Sequence, residues 1–82
     1  MDARAQIKQF ILRDIVGESG LDVKDFADDE SLVDTGILDS LATLKLVTFL
    51  EQEFDITVEA HEADAENLNT LDLITTLVAG KL

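Results

Sequence analysis

The stretch Leu41–Phe54 is the feature that most restricts the possible folds. On a helical wheel at about 100° per residue, with Leu44 as origin, the residues Val47, Phe54, Leu50, Leu46, Phe49 and Ala42 sweep an arc of about 220°. A stripe of about 100° suffices for one packing face. A helix this broadly apolar must be covered on several sides, so it is expected to be the central strut of a small bundle. The opposite sector holds Thr48, Gln52 and Lys45, with Leu41 in its middle, an apolar residue directed at solvent.

Two further amphipathic stretches supply the cover. From Ala3 to Val16, Ile7, Phe10, Ile11 and Ile15 fall on one face while Arg4, Lys8 and Arg13 lie off it, with Asp2 a plausible cap. Gly17 and Gly20 are read as the stop. Near the other end Thr70 is positioned to cap a last helix with Asp72 in its first turn, a stripe of Leu71, Ile74, Leu77 and Val78, and Gly80 as its stop. A short helix is expected around Glu62–Glu66. Asp55–Val58 is β-branched but too short and isolated for a sheet, so it reads as an extended linker that pins Ile56 and Val58 into the core.

Between Gly17 and Leu38 no period is sustained. The segment is acidic (Asp22, Asp25, Asp28, Asp29, Glu30, Asp34) and dotted with Leu21, Val23, Phe26, Leu32, Val33 and Ile37, which are expected to pin it, with room for one hidden turn of helix. Long connections in compact domains tend to be functional or held by their own side chains. The fold class expected is therefore all-α: a four-helix bundle with three long helices, one short third helix and a long first loop, residues 1–82 forming one domain.

Charge and composition narrow the function. Six Lys and Arg against eighteen Asp and Glu give a formal net charge of -12, a field that repels nucleic acid and attracts basic protein surfaces. The chain has no cysteine, so it has no disulfide framework, no thiolate metal site and no thiol nucleophile of its own. The segment Met1–Gln6 lacks the apolar core of a signal peptide and no apolar run approaches a membrane span, so a cytoplasmic protein is expected.

Where the acidic loop meets the strut stands Gly36-Ile37-Leu38-Asp39-Ser40-Leu41. Gly36 permits a bend, and either Asp39 or Ser40 has the short oxygen-bearing side chain of an N-cap. A hydroxyl at a helix start is also well placed to carry a phosphate, which the first-turn amides and the helix dipole favour. Ser40 as a nucleophile would need a base; the only histidine, His61, lies in the polar segment after the second helix, and nothing in its surroundings pairs it with Ser40. Asp28, Asp29 and Glu30 lack the spacing of a calcium loop and read as a solvated charge run. Leu41 beside a capping serine, flanked by Leu44 and Thr48, reads as a contact surface.

The segment Asp34-Thr35-Gly36-Ile37-Leu38-Asp39-Ser40-Leu41, followed by a helix ending Leu50-Glu51-Gln52-Glu53-Phe54, resembles the phosphopantetheine attachment region of acyl carrier proteins. The likeness extends to the Ile7/Phe10/Ile11 helix, the acidic loop and the Asn69-Thr70 cap. The resemblance implies a freestanding, non-catalytic, monomeric carrier whose Ser40 receives 4′-phosphopantetheine from coenzyme A through a magnesium-dependent phosphopantetheinyl transferase. The arm's thiol would hold an acyl or aminoacyl thioester, Asp39 would support attachment, and Leu41, Leu44, Lys45 and Thr48 would form the face read by the transferase, a loading enzyme and downstream synthase enzymes. It implies no metal held by the chain, no nucleic acid and no membrane insertion.

Two departures refine the resemblance. Ile37 and Leu38 both stand between the glycine and Asp-Ser, as in D-alanyl carriers and discrete carriers of alkoxymalonyl or aminoacyl units, where many fatty-acid carriers have one residue. Ala42 and Lys45 replace residues that are often acidic in fatty-acid carriers. The expectation is a dedicated polyketide, nonribosomal peptide or related pathway. The alternatives are a housekeeping fatty-acid carrier, or a small acidic helical adaptor in which Ser40 serves only as a cap.

Overall fold

The computed structural model describes residues 2–82; Met1 lies outside them. Asp2 caps the first helix by accepting the Arg4 amide proton at 3.1 Å. This helix, α1, runs as an α-helix over Ala3–Phe10, as a π-helix over Ile11–Val16, and closes with a turn over Gly17–Ser19. Gly17 does not end it: its backbone is right-handed, and its amide donates to Leu12 O, five residues back. The stop is Gly20, whose φ of 81° is the left-handed conformation that closes helices and favours glycine.

The π segment accounts for the burial of Ile7, Ile11 and Ile15 in one row, none more than 3% exposed. Four residues of α-helix advance about 400°, so every fourth residue drifts about 40° round the axis. A π turn, bonded i to i+5, holds more residues and cancels much of that drift. The row therefore stays on the face that meets the core.

The second helix, α2, spans Ser40–Phe54 and ends at Asp55 in the left-handed region, φ 54°. Ala42, Leu46 and Leu50 are buried, with Val47, Phe49 and Phe54 packed half-exposed against the same core. Leu44, the origin of the sequence wheel, is 63% exposed and does not belong to the packed arc. Without it the arc is about 160°, still wider than a single stripe. The linker after α2 is extended as expected: Val58 is buried, Ile56 packs against the core, and Glu51 accepts the Val58 amide proton at 3.0 Å.

The expected third helix around Glu62–Glu66 is instead two pieces, a 3-10 turn over Ala60–Glu62 and a single α-turn, α3, over Ala65–Leu68. Competing caps divide it. Glu59 and Glu62 form a reciprocal capping box for the first piece, while Asp64 takes up extended geometry to accept the Asn67 amide proton at 3.1 Å. The last helix, α4, spans Leu71–Lys81 under a Thr70 cap, and Leu71, Ile74 and Val78 are fully buried. Gly80 is inside α4 and is not its stop.

The four helices form an all-α bundle with no strand among the described residues, and none is long and apolar enough to cross a membrane. The acidic loop contains turns but no helix. Phe26, Leu32, Ile37 and Leu38 anchor it in the core; Val23 is half-buried, while Leu21 and Val33, expected as pins, are exposed. Cations of α1 hold it from outside: Arg4 bonds both Asp28 and Asp72, and Lys8 meets Asp25 at 2.7 Å. The Lys8 hydrogen bond, followed by one from the Phe26 amide, lowers the Asp25 carboxyl below its ordinary range.

Self-repulsion from a net charge of -12 is screened by ions. Magnesium or moderate salt is therefore expected to raise the melting temperature, read by circular dichroism; a flat or falling response would remove self-repulsion as a limit on stability. A second expectation concerns Glu62, whose carboxyl is lowered first by the Lys81 hydrogen bond at 2.8 Å and next by the Glu59 amide. A group lowered on folding stabilises above its unfolded value, ordinarily 4.5, and loses that contribution as pH falls through the folded value. The melting-temperature gap between the parent protein and Glu62→Gln should thus be full at neutral pH and close below about 4.5.

Candidate functional site

The loop delivers the start of α2 through a small, fully tethered turn. Thr35 and Gly36 amides donate to Ser31 O and Val33 O at 3.2 and 3.1 Å, and the Leu38 amide reaches back to Leu32 O at 2.9 Å. Gly36 makes the reversal with φ 83°, where a side chain would be strained. Ile37 and Leu38 are both buried, at 2% and 7% exposure. The two residues between Gly36 and Asp39 are thus core anchors that fix where the next residue emerges.

A polar tether from the far side secures the same turn. Asn69 Oδ1 accepts from Ser31 Oγ and from the Val33 amide, each at 3.0 Å, and Asn69 O accepts from the Leu32 amide at 2.7 Å. The Asp72 amide donates to Asp28 O at 3.0 Å one step further on. The junction of α3 and α4 thereby holds the loop that presents α2. The sequence marked Asn69 only as part of a helix cap, and no local pattern distinguishes this longer-range use.

The cap of α2 is Asp39. Its Oδ1 accepts the Ala42 amide proton at 2.8 Å, and its carbonyl accepts from the Thr43 amide and Thr43 Oγ1 at 2.8 and 2.7 Å. Ser40 is therefore the first helical residue, exposed, and its hydroxyl has no hydrogen-bond partner among the described residues. The reading in which Ser40 acts merely as the cap is corrected by this geometry. His61 is exposed in the 3-10 turn, with no hydrogen bond to Ser40.

Beside Ser40 lies a cleft of about 220 Å³ between the end of α1 and the first turns of α2, lined among others by Ile15, Glu18, Ile37, Asp39, Leu41 and Lys45. Leu41 and Leu44 are each 63% exposed, and Thr48 is exposed with its hydroxyl donating to Leu44 O. These three share one outward surface. Lys45 borders them, half-buried and bonded to Glu18 of α1 at 2.8 Å. Among the described residues no group of three or more His, Cys, Asp or Glu side chains is placed to hold a metal ion. Within the acidic loop, Asp28 is committed to Arg4, and Glu30 accepts the Ala27 amide proton.

A helical bundle that presents an exposed hydroxyl at a helix start, unbonded among the described residues, has the form of a carrier module on which other enzymes act. The chain matches the family model described as "Phosphopantetheine attachment site" over residues 9–78 and belongs to that family. It is a non-catalytic carrier protein with covalently attached 4′-phosphopantetheine as cofactor.

It is similar to the D-alanyl carrier protein of Streptococcus mutans serotype c, 45% identical over 53 residues that cover 65% of this chain and 66% of that one. The D-alanyl carrier protein of Streptococcus sanguinis is 38% identical over 74 residues, 90% of this chain and 87% of the relative. That of Lactobacillus delbrueckii subsp. bulgaricus is 38% identical over 72 residues, covering 85% and 81%.

The cap assignment separates two neighbouring side chains in a testable way. Asp39→Ala is expected to lower stability by about 1 kcal/mol, the usual loss of an N-cap, whereas Ser40→Ala should stay within about 0.5 kcal/mol of the parent as an exposed substitution. Urea unfolding followed by circular dichroism measures both; a reversed order would put the cap on Ser40.

Proposed function

We propose that Ser40 is the attachment residue for 4′-phosphopantetheine and that the carrier's cargo is D-alanine or a closely related small aminoacyl unit, used in one dedicated pathway. The observation that carries the first half is the exposed, unbonded Ser40 hydroxyl at the first position of α2. A phosphate there fits the site: the Asp39 cap occupies the Ala42 amide, and the helix start favours an anion through its dipole and its remaining amides. In attachment the Ser40 Oγ–phosphorus bond forms as the pyrophosphate bond of coenzyme A breaks, adenosine 3′,5′-bisphosphate leaving and the hydroxyl proton passing to a base of the transferase. The group supplies, when bound, the thiol that this cysteine-free chain lacks.

The cargo reading is supported by the similarity to D-alanyl carrier proteins and by the paired anchors Ile37 and Leu38 ahead of Asp39. Leu41, Leu44 and Thr48 are the surface offered to the transferase and to an aminoacyl-loading enzyme, and Asp39 holds the backbone that presents Ser40 to both. Lys45 acts at the edge of that surface, through its tie to Glu18.

Incubation with a promiscuous phosphopantetheinyl transferase and coenzyme A should add one phosphopantetheinyl group to the intact mass. Ser40→Ala should add none while keeping its helical spectrum. A variant that still gains the arm would move the attachment elsewhere. Mass spectrometry of the protein from its native host then reads the cargo, with D-alanine expected and a fatty acyl or polyketide unit counting against the aminoacyl assignment.

A further inference from the structure

A second groove, of about 450 Å³, follows the seam of α1 and α2 and shares Leu44, Lys45 and Thr48 with the surface described above. The helices run antiparallel along it: Gln6 meets Glu53 at 3.5 Å, the rings of Phe10 and Phe49 stack at 4.1 Å, and Glu18 meets Lys45 at 2.8 Å. Phe10 and Asp14 line one wall, and Leu44, Thr48, Phe49 and Gln52 the other. Glu18 and Lys45 border both this groove and the cleft beside Ser40, so the two adjoin, with the Glu18–Lys45 ion pair between them. From Ser40 to Thr48 the axis of α2 covers eight residues, about 12 Å at 1.5 Å per residue.

The groove has an apolar floor and carboxylates on one side only. Glu18 is occupied by Lys45, whereas Asp14 has only a long, exposed pair with the adjacent Arg13, Nε to Oδ1 3.7 Å. The π segment is what gathers this wall. In an unbroken α-helix Asp14 would stand about 40° and Glu18 about 80° round the axis from Phe10. The wider π turns over Ile11–Val16 keep all three on the same edge, and such segments are frequent at functional sites.

We propose that this groove receives the end of the arm carried on Ser40 when the cargo is aminoacyl, Phe10 and Phe49 packing against the arm and Asp14 accepting a charge-assisted hydrogen bond from the cargo's ammonium. The inference rests on the Ser40 reading above and deepens it. A neutral acyl unit has no group for Asp14, so the groove discriminates by charge near its middle.

The test uses the full chain labelled with ¹⁵N and two hydrolysis-resistant coenzyme A analogues, one ending in D-alanyl amide and the other in acetyl amide, each attached by a promiscuous transferase. Intact mass first reports attachment; no gain on the parent protein would overturn both the Ser40 reading and this one. With the arm in place, amide shifts at Phe10, Asp14, Thr48 and Phe49 are expected for the D-alanyl form, lost in the acetyl form and lost again in Asp14→Asn carrying the D-alanyl arm. Shifts confined to Gly36–Leu44, or equal for both arms, would overturn the groove assignment and leave Ser40 attachment standing.

Discussion

The structure around Ser40 depends on Asn69. A nineteen-residue path from Gly20 to Leu38 has few backbone bonds of its own, and its entropy would leave the start of α2 without a fixed position. Three hydrogen bonds to Asn69, at 2.7 to 3.0 Å, together with the burial of Leu32, Ile37 and Leu38, convert that path into a rigid support. The side-chain carbonyl of Asn69 has two lone pairs and both are used. An aliphatic residue there would leave the Val33 amide and the Ser31 hydroxyl to find other partners.

Electrostatics and packing divide the work between the faces of α1. Its isoleucine row enters the core, its cations Arg4 and Lys8 hold the acidic loop, and its later residues Phe10, Asp14 and Glu18 turn toward α2. Exposed ion pairs of this kind contribute little stability each. Their use is positional: they determine which strongly acidic segment lies against which helix, in a chain whose few cations would otherwise be free to pair with any of eighteen carboxylates.

Helix identity, the Thr70 cap and the exposed Leu41 could be read directly from the sequence because they follow from local periodicity and capping chemistry. The proposal of Ser40 as the carrier residue comes from the order of a motif; the structure places its hydroxyl exposed at the head of α2, unbonded among the described residues. What could not be read was set by competition or by distance along the chain. Gly17 has the composition of a stop but is carried into the helix by the π turn, whose only sequence trace is the strict four-residue spacing of Ile7, Ile11 and Ile15. Leu44, at the edge of the wheel's apolar arc and expected beside Leu41 in a contact surface, is exposed, which narrows the arc that packs. The Asn69 tether joins residues more than thirty positions apart.

The division of labour between Asp39 and Ser40 would leave the helix cap undisturbed by the proposed attachment. If the serine were the cap, attaching a phosphate to its oxygen would change the acceptor that holds the first turn. Here Asp39 holds the Ala42 amide, Gly36 and Leu38 hold the approach, and Asn69 holds the loop. Ser40 adds no hydrogen bond from its side chain to any of these. Two leucines are left 63% exposed on the same helix, and the proposed docking of other proteins there would use apolar surface that the core does not.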